Sequence, residues 1–213
     1  MINTLLEAIQ QISELGGPVV LLLGAASILV LTVCLYKLWQ FTTAGVGRHA
    51  ALRAAVEAWD RGDRVSALSQ IETSRGYLSP VIVMAMQGQT DTARLDAEAE
   101  SRFARLESGF RLLDSVAQLA PLLGLFGTVL GMISAFQALQ ETGSQVDPSL
   151  LAGGIWVALL TTAVGLAVAM PTALVLTWFE TRMDRDRVLA QSSLTTILAP
   201  RRVTSERPQR VYA

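Results

Sequence analysis

Charged residues vanish from three long stretches of this chain, 16–36, 115–140 and 148–179, leaving Leu, Val, Ile, Ala, Gly and a few hydroxyls. About 20 apolar residues, rising about 1.5 Å each, cross the hydrocarbon core of a bilayer. A buried helix of a soluble domain needs a charge-free run of only about 10–14. The pattern predicts an all-α integral membrane protein with transmembrane helices over 16–36, 112–140 and 148–179.

The segments between the spans carry a different pattern. Residues 1–15 place Leu5, Leu6, Ile9, Ile12 and Leu15 opposite Asn3, Glu7, Gln10 and Glu14, as in an external amphipathic helix lying along the membrane. Gly16-Gly17-Pro18 breaks that helix, and Pro18 suits the first turn of the next. The first span is plain and is expected to face lipid, with Tyr36, Lys37 and Trp39 anchoring its inner end. Residues 37–111 read as a helical region. Its first part is a hairpin in which Gly62 ends one helix and Asp63 caps the next. Ser79-Pro80 opens a short apolar helix that ends near Gly88. From Asp91 a long helix carries Ala99, Phe103, Leu106, Phe110 and Leu113 on one face and is expected to run unbroken into the second span. That face needs a partner, either the hairpin or neighbouring copies of the chain. Residues 141–147 form a short external hairpin. Residues 180–213 comprise a further helix, with Met183, Val188, Leu194 and Ile197, ended by Pro200, and a disordered tail.

Sidedness follows from the basic residues. All 17 Lys and Arg lie in 37–111 or 182–210, and none lies in 1–15 or 141–147. The positive-inside rule then puts the N-terminus outside and the C-terminus in the cytoplasm. The absence of a basic n-region argues against a cleaved signal. Net charge is −1, which gives no electrostatic reason to expect a nucleic-acid partner.

Candidate chemistry is sparse. His49 is the single histidine and Cys34 the single cysteine, and the expected topology separates them, so nucleophilic triads fail. Cys34 suits packing. No Cys, Asp or Glu stands at ligand spacing from His49, which reads as an ordinary surface or interface histidine. No enzyme, metal site, cofactor site, nucleotide loop or internal repeat is expected.

What stands out is a repeated stripe of small residues. Gly124, Thr128, Gly131 and Ala135 recur at helical spacing in the second span. Ala158, Thr162, Gly165 and Ala169 do the same in the third. Gly127-x-x-x-Gly131 is a close-packing motif of membrane helices, and packing alone is one reading of these stripes. The other reading is a narrow, weakly polar passage, since hydroxyls recur at Thr128, Thr161, Thr162 and Thr172. Residues 115–140 and 148–179 hold no Asp, Glu, Lys, Arg or His, whereas intramembrane proton relays need a titratable side chain. A conducting assembly would have to borrow its acid from a partner helix.

The stretches PLLGLFGTVLGMISAF (121–136) and GGIWVALLTTAVGLAVAMP (153–171) resemble the signature regions of the MotA/TolQ/ExbB proton-channel family. With three spans, the chain is most similar to the ExbB type. The resemblance implies a homopentamer in a Gram-negative inner membrane, without a cofactor. Its pore would enclose helices of an ExbD-like membrane protein supplying an intramembrane aspartate, and proton flow would drive a TonB-like protein for outer-membrane uptake. It further implies pore-lining or ion-pathway roles for Thr128, Thr162, Thr161 and Val157. Helix-packing or partner-facing roles fall to Gly124, Gly127, Gly131, Ala135, Ala158, Gly165, Ala169 and Pro171, with lipid around them. One position departs from the family pattern: members commonly carry glutamate where this chain has Val157. A TolQ-like envelope role and a non-conducting scaffold are the alternatives.

Overall fold

The computed structural model of the chain describes residues 2–74, 76–141 and 148–200, with side chains omitted over 2–16 and at 141, 148 and 150. The polar sidedness of 1–15, the 141–147 hairpin and the 201–213 tail lie outside what is described. Seven helices and no strand occur among the described residues: α1 (Ile2–Ala44), α2 (Ala50–Asp60), α3 (Arg64–Thr73), α4 (Ser79–Met86), α5 (Thr92–Glu107), α6 (Phe110–Glu141) and α7 (Pro148–Leu198). Three segments are long and apolar enough to cross a membrane: Gly17–Ala44, Phe110–Gln140 and Leu151–Leu198.

Local chemistry explains most boundaries. α1 is interrupted at Gly17, whose φ of 66° and ψ of −170° only glycine adopts readily. The Asp63 carboxylate accepts from the Ser66 N–H at 3.1 Å and caps α3; Asp91 does the same for α5 with Arg94 N–H at 3.3 Å. Two expectations fail. The helix from Asp91 does not run into the second span: α5 stops at Glu107, and Gly109 takes φ 91° before α6 begins. A left-handed residue ends a helix, and glycine takes that conformation at little cost. In the other direction, no break separates the third span from the helix after it. Residues 172–198 contain neither Gly nor Pro, so α7 continues through them as one helix.

The chain divides into two units. The apolar unit comprises Met1–Lys37 and Gly109–Phe179; the charged unit comprises Leu38–Ser108 and Glu180–Ala213. The apolar unit wears its hydrophobic residues outside, among them Leu125, Phe126 and Phe136 on α6 and Trp156, Leu159 and Leu174 on α7. Such an exterior suits lipid, not water.

The charged unit has an ordinary buried core. Leu52, Trp59, Ile71, Ile82, Leu95 and Phe103 are all at most 4% exposed. The α5 face therefore finds its partner within the chain. Tyr77 meets the Phe103 ring edge-on at 5.9 Å, and the Arg187 guanidinium of α7 stacks over it at 5.0 Å. Arg187 also donates to Glu100 at 3.0 Å and to Glu107 at 3.0 Å. The Trp59 indole N–H donates to the Ile197 carbonyl at 3.2 Å, tying α2 to the end of α7.

Candidate functional site

The small residues of α6 and α7 meet one another. A β-carbon added at Gly124 would stand 2.9 Å from the Thr161 carbonyl oxygen, and one at Gly165 would stand 2.6 Å from that of Ala120. One at Gly131 would stand 3.1 Å from Ala158 Cβ, and one at Gly154 would collide with Ala135. Backbones this close gain dispersion contacts that a larger side chain would forbid. The seam thus runs Ala120, Gly124, Gly127, Gly131, Ala135 on α6 and Gly154, Ala158, Thr161, Gly165 on α7. Ala169 joins Ala120 in a small core with Val19 and Leu23 of α1. Pro171 is exposed on α7.

The hydroxyls do different things. Thr161, 1% exposed, packs on Gly127 and donates to the carbonyls of Ala158 (2.7 Å) and Gly124 (3.2 Å). Thr162 is half-buried and donates to the same Gly124 carbonyl at 3.2 Å. Two hydroxyls of α7 therefore pin one α6 carbonyl, and glycine at 124 leaves room for both. Thr128 lies half-buried beside the seam and returns its proton to Leu125 O at 2.6 Å; Thr172 is buried and bonds Val168 O at 2.6 Å. Gly127 and Thr161 occupy the middle of the contact, and Thr128 and Thr162 lie beside it.

A cavity of about 310 Å³ opens beside this seam, bounded by Gly17 and Pro18 of α1, Ser134 and Gly131 of α6, and Val157 and Thr161 of α7. Val157 therefore presents two methyl groups to the space. Beside it, only the Ser134 and Thr161 hydroxyls and backbone offer polar atoms, so the cavity walls can orient an ion or proton only with help from an added group. A second cavity of about 250 Å³ is lined by Ser27, Cys34, Pro171 and Thr172. Pro171 cannot donate to the Ala167 carbonyl four residues back.

Lys37, at the inner end of the first span, is 1% exposed, its ammonium 5.7 Å from the Phe110 ring centroid. Tyr36 and Trp39 are exposed.

The charged unit holds a polar cluster that sequence reasoning missed. His49 is not a surface residue: it is 6% exposed, and its Nε2 stands 2.8 Å from Oδ1 of Asp186, itself 3% exposed. Tyr77 donates its hydroxyl to Asp186 Oδ2 at 2.9 Å. Burial raises the Tyr77 phenol above its ordinary value, and the neighbouring Asp186 carboxylate raises it further, so the hydroxyl stays a donor. A signal was present: Met183, Asp186, Ala190, Ser193 and Ile197 recur at helical spacing, placing one acid on a buried stripe. Among the described residues no cluster of three His, Cys, Asp or Glu side chains forms a metal site.

Comparison with known proteins bears on the seam directly. Residues 69–191 match the MotA/TolQ/ExbB proton channel family, an interval that contains all of α6 and most of α7. The chain is 34% identical over 167 residues to an ExbB-like biopolymer transport protein of Synechocystis sp., covering 75% of this chain and 66% of that protein. It is 29% identical over 177 residues to the biopolymer transport protein exbB1 of Vibrio cholerae, covering 78% and 76%. To the Tol-Pal system protein TolQ of Pseudomonas aeruginosa it is 33% identical over 99 residues, 46% of this chain and 42% of that one.

Proposed function

The chain belongs to the MotA/TolQ/ExbB proton channel family, and from that premise we propose that it is the ring subunit of a proton-motive-force-driven machine of the ExbB type in a bacterial inner membrane. In this reading several copies, five by family resemblance, surround helices of an ExbD-like protein, and the output passes to a TonB-like protein. The N-terminus lies in the periplasm and the C-terminus in the cytoplasm, as the basic residues favour.

The observation that carries the reading is the family match across both small-residue helices, whose stretches 115–140 and 148–179 hold no charged side chain. A proton path along such helices needs an acid from elsewhere. The α6–α7 seam supplies a stiff wall, and Thr128 and Thr162 supply hydroxyls at its margin. Thr161 stiffens that wall by sharing its one hydroxyl proton between the Ala158 and Gly124 carbonyls. Val157 is the observation that favours a second reading, a scaffold that binds the partner without conducting, because it gives the cavity methyl groups where the family resemblance implies an acid. A TolQ-like output is the further variant, favoured by the likeness to the Pseudomonas protein.

The test is proton flux into vesicles containing the chain and its ExbD-like partner under an imposed pH gradient. Thr162→Val and Thr128→Val should each reduce flux about tenfold, the worth of one well-placed hydrogen bond, while the oligomer stays intact. Flux at the wild-type rate in both variants removes the lining role. No flux in wild type, restored by Val157→Glu, favours the scaffold.

A further inference from the structure

Within the charged unit, α5 and the last third of α7 enclose a recess of about 270 Å³. Ala99, Phe103 and Leu194 give it an apolar floor, and Asp96, Glu100 and Arg187 give it a charged rim.

The charges of the rim do not balance. Arg187 is the one basic side chain among the described residues that line the recess, and it already meets three carboxylates. These are Glu100 at 3.0 Å, Glu107 at 3.0 Å and Asp184 at 3.5 Å. Asp96 adds a fourth acid, exposed and without a side-chain partner among the described residues. The other arginines of these helices are engaged or turned away. Arg102 is held by Glu98 and the Tyr77 carbonyl, and Arg182 packs on Gly47. By helical spacing, Arg94 and Arg105 lie opposite Asp96 on α5, and Arg185 lies opposite Arg187 on α7. The recess is left with an excess of three negative charges.

The opposite excess follows a few residues further along the chain. Residues 201–213 carry Arg201, Arg202, Arg207 and Arg210 against one acid, Glu206. α7 ends at Leu198, and Pro200 lacks the N–H that would continue it. Arg187 lies about 17 Å of helix rise before Leu198, and six extended residues span about 20 Å. The stretch beyond Pro200 therefore has the reach to cover the whole recess.

We propose that residues 201–213 fold back onto the recess between α5 and α7, setting arginine guanidinium groups against Asp96 and Glu100. Arginine suits both surfaces, since its methylene stem lies on an apolar floor while its planar head pairs with carboxylates. Attachment to α7 makes the encounter intramolecular, so a contact too weak to hold a separate peptide is populated within the chain. Because the paired charges are exposed, salt weakens the contact. This inference concerns the charged unit alone and does not depend on the ring reading.

Digestion of the full chain, in nanodiscs of uncharged phosphatidylcholine, by an arginine-specific protease tests it. A synthetic peptide of residues 199–213 gives the cleavage rate of the unattached segment. At low ionic strength, cleavage after Arg207 and Arg210 should be at least about fivefold slower in the chain than in the peptide, the worth of one or two good exposed ion pairs. Salt at about 0.5 M should bring the two rates together. Asp96→Lys combined with Gln191→Lys reverses the charge of the recess at two exposed positions. That variant should be cleaved at the peptide's rate with its helix content unchanged. In a Cys34→Ala background, Gln191→Cys and Thr204→Cys should form a disulfide within one chain. Wild-type cleavage at the peptide's rate would overturn the proposal. So would protection that survives the charge reversal, which assigns the segment to another surface, or a disulfide that joins only separate chains.

Discussion

In the apolar unit, the closest contact between helices is made by residues with almost no side chain: Gly124 against Thr161 and Thr162, Gly165 against Ala120. In the charged unit, segments far apart in the chain are joined by His49, Asp186, Tyr77 and Arg187, each spending a polar group on a specific partner. The solvent accounts for the contrast. Lipid is as apolar as leucine, so burying hydrophobic side chains gains little there, and shape complementarity with satisfied hydroxyls decides which helices pair. Where water surrounds the chain, apolar burial supplies most of the stability, and buried polar groups specify register at the cost of desolvation.

That contrast makes predictions of decreasing size. Asp186→Ala strips His49 and Tyr77 of their common partner and should destabilise the charged unit by about 2–5 kcal/mol, since each buried polar group left without a partner costs about 1–3 kcal/mol. Segment-resolved hydrogen exchange would show the loss in α2, α4 and the end of α7. Equal loss in α6 would mean the two units melt as one block.

Gly165→Val drives a branched side chain into the Ala120 carbonyl and should cost about 1–3 kcal/mol, the usual range for overpacking, confined to α6 and α7. Detergent-solubilised thermal melts would measure it. Gly153→Ala, where an added β-carbon meets open space, is the control that should be near neutral. A G165V melting point equal to wild type would dissolve the idea of a tight seam.

The smallest effect concerns the α3 cap. Asp63 is held below its ordinary value of 3.8, first by a side-chain hydrogen bond with Ser66 and then by the Ser66 N–H. Its folded form therefore favours the carboxylate. The resulting stability is present above the unfolded value and lost as pH falls through the folded one. The α2–α3 hairpin should loosen slightly below pH 3.8, and Asp63→Asn, which caps without titrating, should remove that increment while matching wild type at neutral pH. Circular dichroism of both chains against pH would read it.

Much of the architecture was legible because its causes are local. Spans follow from runs without charge, the α3 and α5 starts from Asp63 and Asp91, and the interruption of α1 from Gly17 beside Pro18. Small residues at helical spacing also marked α6 and α7 as the helices to watch. The spacing alone does not say which threonines occupy the centre. Neighbouring threonines such as 161 and 162 sit about 100° apart on a helix, and only the partner helix fixes which of them meets the α6 backbone.

What the chain alone determined is therefore where helices form, where charge is forbidden and which faces are smooth, since each depends on residues a few positions apart. What only the tertiary structure decided is pairing over long separations. It buried His49 against Asp186, 137 positions away by their numbering, and put Thr161 at the seam's centre. It also left the Val157 methyls bordering a cavity. No local pattern encodes such meetings; they exist because packing brings remote backbone together and then demands that every buried polar atom find a partner.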